Sequence, residues 1–274
     1  MTRARTLPAL AMLTLLVAFV APPTGRAAMG ATSQTLQVFA AASLADAFND
    51  LGRMLEQRHP GLVVRFNYTG SQQLAAQLEQ GAVADLYASA DDRWMSYAKD
   101  RGLVVGDPWL FARNRLVVIV PKTNPARIQK VQDIAKGGIK IVLGADAVPV
   151  GRYSRMVIRN LSRSEGFPSD FATRTLANVV SEEENVKSVV SKVQLGEADA
   201  GIVYHSDVTP AVARYIRVFE VPDSVNVIAS YPMALVRGGT APEAAKAFME
   251  LVLSAEGQRV LERHGLMPVA ASNP

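Results

Sequence analysis

The sequence predicts an α/β fold, and three observations carry that prediction. From about residue 36 onward, short apolar runs alternate with amphipathic segments, the pattern of strands feeding helices. The 274 residues are 49% hydrophobic and 20% charged, which suffices for one large domain or two lobes and excludes a disordered or collagen-like chain. There is no cysteine, so disulfides, thiolate metal sites and cysteine nucleophiles are absent and the fold rests on apolar packing.

The elements follow in order. Met1 to Thr6 carries two arginines, the run LPALAMLTLLVAFVA at 7–21 is uncharged, Pro22 and Pro23 break it, and small residues continue to Ala31. A basic start, a short apolar core and a small-residue exit predict a cleaved secretory signal over 1–31, cut between Ala27 and Ala31. The apolar core is short of the roughly 20 residues that a bilayer span needs. The body then shows strand-like runs at 36–40, 63–68, 85–89, 116–120, 139–143, 201–204, 216–221 and 231–236. Helix-like segments lie between them at 44–57, 72–80, 92–100, 152–163, 185–195, 242–253 and 256–264. Leu44, Phe48, Leu51 and Leu55 form one helical stripe by their three- and four-residue spacing. Val189, Val193 and Leu195 do so less cleanly. Strands alternating with helices imply largely parallel sheets. Without a linker-like tract, two lobes would be joined by strands crossing near 113–116 and 231–236.

Charge narrows the function. The net charge is +4, but Arg3, Arg5 and Arg26 all fall in the expected leader, leaving 26 basic against 25 acidic residues in the body. A near-neutral body gives no footprint for nucleic acid. His59, His205 and His264 lack metal-ligand spacing, and neither a G-x-S-x-G elbow nor a Walker loop occurs. Asp92 reads as a helix start, Trp94 and Trp109 as packing residues, and Arg113 and Arg115 as lobe-to-lobe salt bridges.

Chemistry concentrates at four strand-to-helix junctions. VFAAASL at 38–44 places Ser43 at a helix N-cap, and NYTGSQQ at 67–73 places Ser71 at another. VPVGRY at 148–153 is a Pro/Gly turn opening a helix, and Asn185 with Val186 opens a fourth. The first N–H groups of a helix lack internal partners and carry the positive end of the macrodipole. Several such ends converging make an anion site without any formal cation.

These segments resemble the periplasmic molybdate-binding proteins of ABC transporters. VFAAASL with ADAF at 45–48 is similar to that family's first oxyanion loop, and Gly70 and Ser71 before QQLA to its second. The strand GAVADLYASAD at 81–91, the turn VPVGRY, the loop Glu184, Asn185, Val186 and the strand GIVY at 201–204 complete the likeness, in order, over about residues 36–268. The resemblance implies a two-lobed type II periplasmic-binding-protein fold with mixed sheets and a ligand cleft between lobes. It implies lobe 1 at 34–113 plus 236–272 and lobe 2 at 114–235. It implies oxyanion contacts at Ser43, Ser71, Val150, Val186 and Tyr204: serine hydroxyls and N–H groups, valine N–H groups, and the tyrosine O–H. Val150 stands where the family often has alanine. The acids Glu182, Glu183 and Glu184 adjoin the site and are expected to point to solvent.

The function so implied is a monomeric periplasmic receptor that captures molybdate, and tungstate too, for an inner-membrane ABC permease. It binds without reaction, cofactor or direct cation ligand; the metal arrives inside the oxyanion. The rivals are a receptor of the same fold for sulfate or another anion, and a secreted serine hydrolase using Ser43 or Ser71.

Overall fold

Two mixed sheets, each flanked by helices, organise the chain. The computed structural model describes residues 1, 2 and 34–269, so the leader expected over 1–31 falls, but for its first two residues, outside the described residues. β1 (Gln34–Ala41) runs through a 3-10 turn (Ala42–Leu44) into α1 (Ala45–Arg58), and β2 (Leu62–Thr69) runs into α2 (Ser71–Glu79). β3 (Leu86–Ala88) precedes α3 (Asp92–Asp100), and β4 (Val104–Asn114) leads through Arg115 alone into β5 (Leu116–Pro121). A 3-10 turn (Val131–Ala135), β6 (Ile141–Gly144), α4 (Pro149–Leu161), α5 (Phe171–Ala177), β7 (Val179–Glu183) and α6 (Val186–Gln194) follow. Next come β8 (Ala200–Tyr204), a 3-10 turn (His205–Asp207), α7 (Pro210–Ala213) and β9 (Ile216–Glu220). The chain closes with β10 (Ala229–Val236), α8 (Pro242–Leu253), α9 (Ala255–Arg263) and β11 (Met267–Pro268).

The first sheet has the order β11-β4-β10-β3-β1-β2 and the second β7-β6-β8-β5-β9. Parallel pairing is confined to β1 with β2 and β3, and to β6 with β7 and β8. Elsewhere β10, β11 and β5 pair antiparallel with their neighbours, so the sheets are mixed rather than largely parallel. The reason is connectivity: β5 and β10 enter their sheets directly from the other one, without the helical crossover that parallel pairing requires. The first crossing falls at Arg115, within the expected 113–116. The second lies between Glu220 and Ala229, because all of β10 pairs within the first sheet; the boundary expected at 235/236 is therefore too late.

The apolar stripe of α1 becomes core: Phe48, Leu51 and Leu55 are buried, and the Phe48 ring packs edge-on against Phe248 at 5.3 Å. One apolar core extends from Leu36 and Phe48 through Val118 and Ile158, spanning both sheets. A second cluster, with Leu74, Tyr87 and Met95, covers the other face of the first sheet. β4, β7, β11, α5 and α7 are not legible as elements in the sequence. β4 carries Gly106 and Pro108 and is exposed over its first half, while β7 is a half-buried edge strand ending in acids. Among the described residues no helix is long and apolar enough to cross a membrane.

Candidate binding site

Four helix starts meet at one small cavity. It is lined by Ser43 from the turn before α1, by Gly70 and Ser71 at the start of α2, by Val148 to Val150 at α4, and by Asn185 and Val186 at α6, with Tyr204 at the end of β8. All five positions singled out in the sequence thus line one cavity. The cavity volume is about 10 Å³, far below the ~300–1,000 Å³ of sites for drug-sized organic ligands.

The local roles of the serines differ from the expected N-caps. The cap of α2 is Gly70, with Ser71 at the first helical position, and Leu44 rather than Ser43 precedes α1. Neither helix has a side-chain cap, and neither does α4, whose cap is Val148 with Pro149 at its first position. Only α6 is capped conventionally, Asn185 accepting from the Ser188 N–H at 3.1 Å. No capping side chain therefore takes the leading N–H groups of α2 or α4, whose first residues line the cavity. Close backbone approach enforces the glycines. A Cβ on Gly151 would lie 2.1 Å from the Ala145 carbonyl oxygen, and one on Gly70 2.4 Å from that of Glu184.

Both serine hydroxyls are buried and engaged. Ser71 Oγ accepts from the Ala90 backbone N–H at 3.0 Å, and its carbonyl accepts from the Tyr87 hydroxyl at 3.0 Å. Ser43 Oγ lies 3.0 Å from the Tyr231 hydroxyl. Tyr204 is the exception. Its side chain is 1% exposed and its hydroxyl has no hydrogen-bond partner among the described residues. A buried polar group left unpaired costs about 1–3 kcal/mol, so this hydroxyl marks a place that a ligand atom would satisfy. Burial, reinforced by neighbouring Tyr231, pushes the Tyr204 phenol well above its ordinary pKa, so at neutral pH it carries its proton.

Among the described residues, no lysine, arginine or carboxylate lines the cavity. Charged groups instead tie the loops of the two sheets together around it. Arg152 reaches Asp91 at 3.3 Å, and Lys187 reaches Asp46 at 2.9 Å. The Trp94 indole donates to the Ala147 carbonyl at 2.7 Å, so Trp94 joins the two halves beyond simple packing. Arg115, at the first crossing, pairs with Glu220 and Asp223, where the chain leaves the second sheet, and so is not the bridge expected of it. The helix start predicted at Asp92 is capped by Asp91, which accepts from the Trp94 N–H at 2.9 Å.

The acids of 182–184 do not simply face solvent. Glu182 pairs with Arg155, Glu183 with Lys192 at 2.6 Å, and Glu184 accepts from Gln73 Nε2 at 2.7 Å. Glu182 and Glu183 are thus paired with cations, and Glu184 is held by a neutral amide. Behind Tyr204 the fully buried Asp207 accepts from the Tyr204 backbone N–H at 3.2 Å and lies 3.5 Å from the Lys187 ammonium. Burial, only partly opposed by Lys187, raises its pKa to about 6.

The family of bacterial extracellular solute-binding proteins matches residues 36–267. The chain belongs to that family. Among its relatives, the molybdate-binding protein ModA of Mycobacterium tuberculosis (strain ATCC 25618 / H37Rv) is 36% identical over 233 residues, 85% of this chain and 84% of the relative. Among solved structures, the periplasmic molybdate-binding protein of Azotobacter vinelandii superposes with a TM-score of 0.73 at 18% identity, covering 86% of this chain and all of that one. The sulfate-binding protein SubI of Mycobacterium tuberculosis H37Rv gives 0.76 at 17% identity, covering 86% and 87%. At such identities the two structures speak for the fold, a two-lobed solute-binding architecture.

Sequence reasoning missed Tyr231, Asn114 and the Ala90 amide. Tyr231 sits inside an apolar run that reads as strand, and a backbone N–H carries no residue-type signal.

Proposed function

We propose that this protein is a receptor that captures molybdate, with tungstate as an equivalent ligand, and delivers it to the membrane permease of an ABC importer. The observation that carries the reading is the unpartnered, buried Tyr204 hydroxyl in a cavity otherwise walled by helix N-termini and serine hydroxyls. Donors without a lining carboxylate suit a fully deprotonated tetrahedral dianion, whose oxygens are all acceptors. The likeness to molybdate-binding relatives supports the choice of ion. The contacts are Ser43, Ser71, Tyr204 and the N–H groups of Val150 and Val186. The two sheets are the cores of two lobes, 34–114 plus 229–269 and 115–228, which close on the ion. The ion pairs Arg152 with Asp91 and Lys187 with Asp46 hold the closed form. A leader at 1–31 is removed on export, and the receptor acts outside the cytoplasm as a monomer.

No reaction is assigned. A serine nucleophile needs a base within reach, and the hydroxyls of Ser43 and Ser71 contact only a tyrosine and a backbone amide among the described residues. Calorimetric titration of ligand-stripped protein with molybdate, tungstate, sulfate and phosphate tests the reading. Molybdate and tungstate should bind comparably, sulfate much more weakly because it is too small to reach every donor, and phosphate least. Sulfate binding equal to molybdate would sink the choice of ion, and tight phosphate binding would sink the donor-only site.

A further inference from the structure

A hydroxyl is both donor and acceptor, so a site built of hydroxyls does not by itself select an unprotonated ion. Something must decide which way each O–H points. For Ser71 the decision is local: a backbone N–H occupies its oxygen, and its own proton is left for the cavity. For Ser43 the partner is Tyr231, and either oxygen at 3.0 Å can be the donor.

The ambiguity resolves further back. The side-chain oxygen of Asn114 accepts from the Arg115 backbone N–H at 3.0 Å, and a backbone N–H can only donate, which sets the orientation of the amide. Its Nδ2 therefore faces away, donating to Ser206 Oγ at 2.8 Å and to the Tyr231 hydroxyl at 3.3 Å. Tyr231 thus accepts from Asn114. If it also accepted from Ser43, its own proton would be buried without an acceptor, since Tyr231 is wholly buried and does not line the cavity. Its proton goes to Ser43 Oγ, and the Ser43 proton is turned to the cavity. Burial pushes the Tyr231 phenol far above its ordinary pKa, so the chain keeps its protons at neutral pH.

We propose that Tyr231, held by Asn114, is a positioning residue that sets the proton polarity of Ser43 and thereby makes the site select deprotonated over protonated oxyanions. This rests on the oxyanion reading of the cavity. Asn114 and Tyr231 stand on β4 and β10 where the chain crosses between sheets. Ser43 belongs to the same half, so its donor is oriented before any lobe closes over the ion. Tyr204, with no partner among the described residues, is a hydroxyl whose polarity the ligand itself decides.

The test is a double-mutant cycle read by titration with molybdate and by displacement of molybdate with inorganic phosphate. Tyr231→Phe keeps the ring that packs edge-on against Phe111 and Tyr204, and leaves Asn114 its bond to Ser206. It should weaken molybdate binding about 2- to 10-fold, the worth of one neutral hydrogen bond, and raise the phosphate-to-molybdate affinity ratio by freeing a Ser43 lone pair. In the Ser43→Ala background the same change should alter molybdate affinity by less than about twofold, because Tyr231 acts only through Ser43. Ser43→Ala alone, lacking any oxygen, should not raise the phosphate ratio. Additive losses, or an unchanged ratio in Tyr231→Phe, would overturn the relay while leaving the receptor function standing. Wild-type protein that binds none of molybdate, tungstate and sulfate would overturn both together.

Discussion

The two halves of the cavity wall present donors by different means. The first-sheet half offers hydroxyls, Ser43 and Ser71, whose oxygens are already occupied by Tyr231 and by the Ala90 N–H. The second-sheet half offers the starts of α4 and α6 at Val150 and Val186, whose side chains are apolar and buried. A hydroxyl donor is ambiguous until a supporting group takes its lone pair. A helix N–H has no such freedom: its direction follows from the backbone alone. Side-chain identity should therefore matter in the first half, and backbone geometry in the second.

The largest expected effect lies in the second half. Gly151→Ala would set a Cβ 2.1 Å from the Ala145 oxygen and 2.2 Å from that of Gly144, both backbone atoms that cannot swing aside. The start of α4 must move. Overpacking of this kind costs about 1–3 kcal/mol of stability, and losing aligned N–H donors at ~1.5–3 kcal/mol each should weaken molybdate binding more than 100-fold. Thermal melting and titration read the two losses. Wild-type affinity in this variant would break the claim that backbone placement governs the half.

Next comes Ser71→Ala. One hydrogen bond to a charged ligand is lost, worth ~1.5–3 kcal/mol or about 10- to 100-fold in affinity. Without ligand the variant should still melt lower, because the Ala90 N–H loses its buried acceptor at a cost of about 1–3 kcal/mol. An unchanged apo melting temperature would contradict the support assigned to that hydroxyl.

A sharper contrast is Val186→Pro against Val186→Ala. Val186 is the first residue of α6, where proline is favoured, and the preceding Asn185 is extended at φ −157° and ψ 166°, as a residue before proline should be. Proline removes the N–H with little strain, and affinity should fall about 10-fold or more while melting shifts little. Alanine keeps the N–H and should bind within a few-fold of wild type. Equal affinities for the two would remove that N–H from the site.

The smallest effect on affinity is expected from Asp207→Asn, which keeps an acceptor for the Tyr204 N–H. Its signature is pH. The folded pKa of Asp207 is about 6 against an ordinary 3.8, so in that window the folded state holds a proton that the unfolded state has released. Stability from this group is highest below about pH 4 and falls as pH rises toward 6. The difference in melting temperature between wild type and Asp207→Asn should therefore drift against the wild type across that range, and be flat above it. A flat difference throughout would show that Asp207 ionises normally.

Much of the site was legible because its donors sit where strands turn into helices, and those turns have local signatures: the Gly70–Ser71 pair and the Pro149–Gly151 turn. The roles of the two serines were not. A serine before an amphipathic run reads as a cap, yet Gly70 and Leu44 hold those positions. Each serine oxygen was instead taken by a partner far along the chain, 19 residues away for Ser71 and 188 for Ser43. The point at which the chain returns to the first sheet is not legible for a related reason, since the apolar run of β10 looks the same in either sheet.

By itself the sequence determined the alternation of strands and helices, the α1 stripe that becomes core, the near-neutral body and the four junctions able to offer free N–H groups. These are local consequences of hydrophobic period and turn chemistry, acting over a few residues. The tertiary structure alone decided which sheet each strand joined, which acids were neutralised by partners, that Tyr204 would be left without one, and that Asn114 and Tyr231 would dictate the direction of a proton on Ser43. The bonds from Tyr231 to Asn114 and Ser43 join residues more than a hundred positions apart, and a hydrogen bond has no imprint in sequence until packing brings its two ends together.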